Sequence, residues 1–126
     1  MKRTVKIVAL VLLLSMALTA LVSCARPSGT YVDSAGEAMY VFDGDEFIYT
    51  YNKVEFRGTY KIVGSDEDMR IILTILESAT ENTPLTKLDK PEYIGDEKGV
   101  DYLRGETADG KEYVKISTTV YYKIKK

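Results

Sequence analysis

The chain has 126 residues, with no His, no Trp and a single Cys, and its 17 basic and 19 acidic side chains give a net charge of −2. That length indicates one domain, because two would leave each half too small to bury its own core. The composition excludes Ser-His-Asp and Cys-His triads, imidazole metal sites, an intramolecular disulfide and a multi-thiolate zinc cage.

Lys2, Arg3 and Lys6 precede a nearly uninterrupted apolar run from Ile7 to Val22. This is the layout of a secretory signal, expected to occupy residues 1–23. The run is 16 residues long, shorter than the roughly 20 that a spanning helix needs. Without those three cations, 14 basic residues face 19 acidic ones, a net −5. Duplex binding depends on neutralising phosphates with clustered cations, so nucleic acid is not an expected partner. The only dense basic stretch is Lys123, Lys125 and Lys126 at the end of the sequence.

Hydrophobicity stops at Leu21-Val22-Ser23-Cys24, which is followed by Ala25-Arg26-Pro27-Ser28. Leu21-Val22-Ser23-Cys24 resembles the lipobox of bacterial lipoproteins: an aliphatic residue three before, a small residue immediately before, and the Cys itself. The resemblance covers the first 24 residues. It implies cleavage before Cys24, a diacylglycerol thioether on its sulfur, no other cofactor, and a location on the outer leaflet of a bacterial membrane, in the cell envelope. Two acyl chains make such an anchor stable, since each buried CH₂ contributes about 0.8 kcal/mol. Residues 24–28 then form a lipidated tether. Ala25 to Ser28 reach at most about 14 Å when extended, which keeps the following domain, residues 29–126, close to the bilayer.

From Gly29 onward the dominant pattern has period two. Tyr40 and Phe42 alternate with Met39 and Val41, Asp43-Gly44-Asp45 supplies turn chemistry, and Phe47, Tyr49 and Tyr51 continue the alternation, predicting a hairpin from Ala38 to Asn52. Val54, Phe56, Gly58, Tyr60 and Ile62 form the apolar face of the next strand, against Glu55, Arg57, Thr59 and Lys61. After Gly64-Ser65-Asp66-Glu67-Asp68, the segment Met69 to Leu76 fits a helical stripe or a strand, and its β-branched content favours the strand. Residues 77–98 contain Pro84, Pro91 and Gly95 and no alternation, and are expected to be a long loop, onto which Leu85, Leu88, Tyr93 and Ile94 confer enough apolarity to dock on the domain. Asp109-Gly110 signals a two-residue hairpin joining Val100–Thr107 to the tail. In the tail, Val114, Ile116, Thr118, Val120, Tyr122 and Ile124 keep one phase, predicting one long strand or two joined at a bulge near 117–119.

Gly29-Thr30-Tyr31 recurs as Gly58-Thr59-Tyr60, each Tyr sharing a face with its Gly so that the ring can cover the gap. With the closing Val120-Tyr121-Tyr122-Lys123-Ile124, this pattern resembles the small lipocalin-like β-barrel lipoproteins, over most of 29–76 and the last strand. The resemblance implies the fold alone. The expected fold class is therefore all-β: a single antiparallel β-barrel or strongly curved sheet of about seven or eight strands.

The acidic groups Asp43 and Asp45, Asp66 to Asp68, and Asp96 and Glu97 are candidate cation or general-acid sites. Calcium wants six to eight oxygens, and no segment has the full loop spacing, so turn solvation is the expected role and no metal site is assigned. Glycoside hydrolysis by paired carboxylates is the principal hydrolytic chemistry open to a chain lacking His, but it needs one carboxyl raised in a hydrophobic cleft, and these acids sit in turns or on polar faces. No catalytic residue is assigned. Of the ten tyrosines, Tyr40, Tyr49, Tyr51, Tyr60 and Tyr122 fall on apolar phases and read as core. Tyr113 and Tyr121 fall on the opposite phase beside Lys115, an aromatic and basic strip suited to a partner. The expected function is a non-catalytic binding or accessory module of the envelope, recognising a small apolar ligand inside the barrel or an envelope partner on that strip. The alternatives are a barrel filled solid and acting as an interaction scaffold, and a small carboxylate-dependent glycoside hydrolase.

Overall fold

A computed structural model of the chain describes residues 26–65 and 67–124. Nine strands follow one another: β1 (Gly29–Asp33), β2 (Ala38–Asp43), β3 (Glu46–Tyr51), β4 (Val54–Ser65), β5 (Asp68–Thr80), β6 (Thr83–Tyr93), β7 (Val100–Glu106), β8 (Glu112–Ile116) and β9 (Thr119–Lys123). All pairings are antiparallel, in the order β4-β3-β2-β1-β9-β8-β7-β5-β6, and β4 also pairs with β5. Eight strands therefore close a barrel, as the alternation predicts, and β6 is an additional strand laid on the outer part of β5. No helix long and apolar enough to cross a membrane occurs among the described residues.

The period-two positions fill the interior. Tyr31, Tyr40, Phe42, Phe47, Tyr60, Ile71, Leu73 and Ile75 are all buried, and Val114, Ile116 and Tyr121 meet them from the far wall. Adjacent turns leave at opposite ends. The chain enters at Arg26, beside the β2–β3 turn at Gly44-Asp45, the β4–β5 turn and the β7–β8 turn, an end called here the entry end. The β1–β2, β3–β4, β5–β6 and β8–β9 turns form the far end.

Three local departures from simple alternation shape the molecule. The first is a bulge on β5. Gly58 pairs with Ile75 while the preceding Arg57 pairs with Glu77, so Leu76 is an extra residue and Glu77 follows it on the same outer face. The approach depends on Gly58 having no side chain: a Cβ there would lie 1.7 Å from the Thr74 carbonyl oxygen. The gap beside this glycine is thus filled by backbone and not by the Tyr60 ring, contrary to the reading of the Gly-Thr-Tyr echo.

The second departure lies in 77–98, which is strand as far as Tyr93, apart from one turn, and loop only from 94 onward. β5 continues past its bulge to Thr80, turns at Glu81-Asn82 and returns as β6. Nearly every β6 side chain is exposed on both faces, so there was no alternation to detect. The six β6 residues from Lys87 to Glu92 lie opposite the three β5 residues from Ile75 to Glu77, and the outer edge carries Pro84, Lys87, Lys90 and Pro91, residues that discourage strand addition. Leu88 and Ile94 pack against the core, whereas Leu85 and Tyr93 stay largely exposed.

The third is the tail. β8 and β9 are a hairpin with Ile116 opposite Thr119, turning through Ser117 at φ 59° and Thr118. A two-residue turn between facing residues moves the inward phase by one position, so Tyr121 points in and Tyr122 points out. The Asp109-Gly110 hairpin forms between β7 and β8, but through a longer connection: Thr107 N donates to Lys111 O at 2.9 Å, Gly110 N to Thr107 O at 2.9 Å, and Gly110 sits at φ 84°. This is the three-residue loop with a left-handed glycine.

Candidate functional site

The barrel interior is occupied by aromatic rings. Tyr40 stacks on Phe42 at 5.4 Å, approaches Tyr49 at 4.4 Å and meets Tyr121 edge-on at 4.9 Å. Phe42 in turn packs edge-on against Tyr60 at 5.1 Å. These rings occupy the space between β1, β2, β3, β4 and β9 where the apolar ligand was expected, and three concavities open onto the outer surface or the barrel ends. Burial drives the Tyr40 and Tyr102 phenols far above their ordinary range, and pushes Tyr121 up to about 12.

Tyr113, Lys115 and Tyr121 do not form one strip. Tyr121 is 6 % exposed and belongs to the core, because of the phase change at Ser117-Thr118. Tyr113 is on the outer face, where its ring covers Gly105 directly opposite: a Cβ on Gly105 would be 2.6 Å from the Tyr113 hydroxyl. Lys115 lies across from the exposed Leu103 and from Val120. Tyr122, expected in the core, takes the outer place beside Tyr113 at 6.4 Å, with Lys111 Nζ 5.1 Å above its ring. The sequence allows a break near 117–119, but nothing marks it as a turn that exchanges the faces, since neither Ser117 nor Thr118 is a customary left-handed turn residue. Tyr51 also leaves the core, 48 % exposed at the far rim, and Tyr49 is half-buried.

The outer face over the bulge was not foreseen. Val41 pairs with Ile48, Ile48 with Arg57, and the bulge sets Leu76 beside them, 37 % exposed. Together they floor a groove of about 280 Å³ whose rim carries Asp43, Glu46 and Glu77. Arg57 is the cation of this surface, and its Nε is 2.7 Å from Glu55 Oε2. The groove thus combines an apolar floor with a predominantly acidic rim. A bulge that re-aims one side chain, here Glu77, is a recurrent device beside binding sites, and a strand pattern gives no warning of the inserted residue.

At the entry end Arg26 and Pro27 are fastened to the barrel. Pro27 is buried, and the single Tyr60 hydroxyl hydrogen is shared between Gly44 O at 2.7 Å and, more weakly, Pro27 O at 3.3 Å. Arg104 Nη1 donates to Arg26 O at 3.1 Å, and the Arg26 guanidinium lies 5.7 Å over the Tyr60 ring. Glu112 Oε2 draws Lys123 Nζ to 3.2 Å and Arg104 Nη2 to 3.9 Å. These are charge contacts without hydrogen-bond geometry at the oxygen. Burial raises the Tyr60 phenol, an effect that Arg26 opposes. Cys24 and residues 1–23 lie outside the described residues, as do Asp66, Lys125 and Lys126.

Asp33, Asp96 and Asp109 fasten turns. Asp33 Oδ1 accepts from Glu37 N at 2.8 Å and Ala38 N at 3.2 Å, Asp96 Oδ1 accepts from Lys98 N at 2.9 Å, and Asp109 accepts from the Thr107 hydroxyl, a bond that holds its carboxyl below the usual range. No group of three or more metal-ligating side chains occurs among the described residues. Comparison with protein-family models, with curated proteins and with solved structures returns no match.

Proposed function

We propose that this chain is a lipid-anchored bacterial envelope protein, non-catalytic, that works through the outside of its barrel. The supporting observation is the combination of a ring-filled interior with an apolar groove around Leu76. Of the two recognition modes, this favours an envelope partner over an apolar ligand held inside. The rim of Asp43, Glu46 and Glu77 suits a protein segment that inserts an apolar side chain between basic ones. The anchor rests on Lys2, Arg3, Lys6, the run 7–22 and Leu21-Val22-Ser23-Cys24. The docking of Arg26 and Pro27 on the barrel supports a short, stiff connection to it. The non-catalytic reading is supported by the sequence lacking His and by the absence of any buried charged side chain among the described residues.

A photo-reactive amino acid placed at Leu76, and separately at Leu103 on another outer face, tests the surface in living cells. The reading predicts one discrete protein adduct from position 76, identified as a chain with a basic, apolar-centred segment and abolished by combining Glu46→Lys with Glu77→Lys. Adducts equal from both positions, or only lipid or a second copy of this chain captured at 76, would contradict it.

A further inference from the structure

The far mouth of the barrel is chemically unlike the rest of the surface. Tyr49, Tyr51 and Tyr121 reach it from the inner faces of β3 and β9. Tyr49 lies close enough to Tyr51, Tyr121 and Asp33 to feel all three. Beside them is a concavity of about 480 Å³ lined by Glu37, Tyr51, Asn52 and Lys53. The last two form the β3–β4 turn, with Asn52 at φ 51° and Lys53 at φ 65°. A turn with both central residues left-handed ordinarily takes Asn-Gly, so Lys53 is held in a strained conformation. Its side chain does little for the fold in return: its ion pair with Glu81 is 3.6 Å long and exposed on both sides. Strain maintained at an open rim, with side chains turned to solvent, points to presentation of those side chains.

The ring geometry selects the ligand class. Tyr49 is enclosed by Tyr40 at 4.4 Å and Phe56 at 6.3 Å, and Tyr121 is buried edge-on against Tyr40. Only Tyr51 offers a free face, so the mouth is not an aromatic cage for a cation, which needs several rings open to the same point. An anion would meet Asp33 and Glu37 as well as Lys53. What remains complementary is a neutral polyol: one exposed ring for a face of C–H bonds, an amide that donates and accepts, a carboxylate that accepts and an ammonium that donates. We infer that the far mouth, built on Tyr51, Asn52, Lys53 and Glu37, is a binding site for a neutral saccharide. It is separate from the Leu76 groove and does not depend on the proposed partner.

The full chain, kept in a detergent without a sugar headgroup, is titrated with maltotriose, with chitotriose and with tetramethylammonium, and read by saturation-transfer NMR and the tyrosine ring signals. Binding of a trisaccharide below about 10 mM is expected, with the Tyr51 signals moving first. Tyr51→Ala is expected to weaken it by at least about tenfold and Asn52→Ala by several fold, with Leu103→Ala leaving it unchanged. Both rim residues are exposed, and because Ala at the left-handed position 52 strains the turn, an unchanged far-ultraviolet spectrum and unchanged amide signals of the β3–β4 turn check that each variant keeps the fold. No saturation transfer from either sugar, undiminished binding by Tyr51→Ala, or preference for tetramethylammonium would overturn the inference.

Discussion

Gly58 and Thr74 meet backbone to backbone, closely enough that a methyl group on Gly58 would occupy the space of the Thr74 carbonyl. That contact seats the β5 bulge, which sets Glu77 on the outer face beside Leu76. Gly58→Ala is therefore expected to destabilise the barrel by about 3 kcal/mol or more, since the obstacle is backbone and cannot rotate away. Gly36→Ala, at φ 73° with open space around the new Cβ, should cost only about 1 kcal/mol. Urea denaturation of the two variants measures the difference, and equal midpoints would remove the basis for the groove.

Tyr31 and Tyr60 are both buried, yet their hydroxyls differ. Tyr31 Oη is without a hydrogen-bond partner, whereas Tyr60 Oη donates to Gly44 and Pro27. Tyr31→Phe should leave stability unchanged or raise it by up to about 1 kcal/mol, while Tyr60→Phe should cost about 1 kcal/mol by stranding those carbonyls. Denaturant midpoints at constant slope report both signs.

The buried phenols make the fold sensitive to alkali. An unfolded Tyr titrates near 10, and burial raises Tyr121 to about 12 and Tyr40 and Tyr102 higher still. Because the raised group is an acid stabilised in its neutral form, its contribution is complete below about pH 10 and is lost as the pH climbs through the folded value. Tyrosinate absorbance should thus rise in two phases, exposed rings first, the second coinciding with loss of the β-sheet circular dichroism near pH 12. All ten tyrosines titrating together near pH 10 with the sheet intact would contradict the ring-filled interior.

The strands that alternate strictly were legible from the sequence because one face of each is dry. Ala38–Asp43, Glu46–Tyr51 and the first half of β4 fall where their patterns put them. The misreadings share one cause, an odd residue inserted into a period of two. At Leu76 the insertion is a bulge and at Ser117-Thr118 a turn, and each exchanges the two faces downstream. Tyr121 and Tyr122 changed places for that reason, and with them the expected strip. β6 was unreadable on different grounds: lying on one strand with both faces wet, it has no pattern to show.

The anchor is tested most directly by the intact mass of the chain purified from bacterial membranes, with Cys24→Ser alongside. The account predicts a polypeptide beginning at Cys24 and heavier by a diacylglyceryl group, and for Cys24→Ser an uncleaved chain beginning at Met1 without lipid. A wild-type chain that retains Met1 to Ser23, or one cleaved there with a free Cys24 thiol, would contradict it.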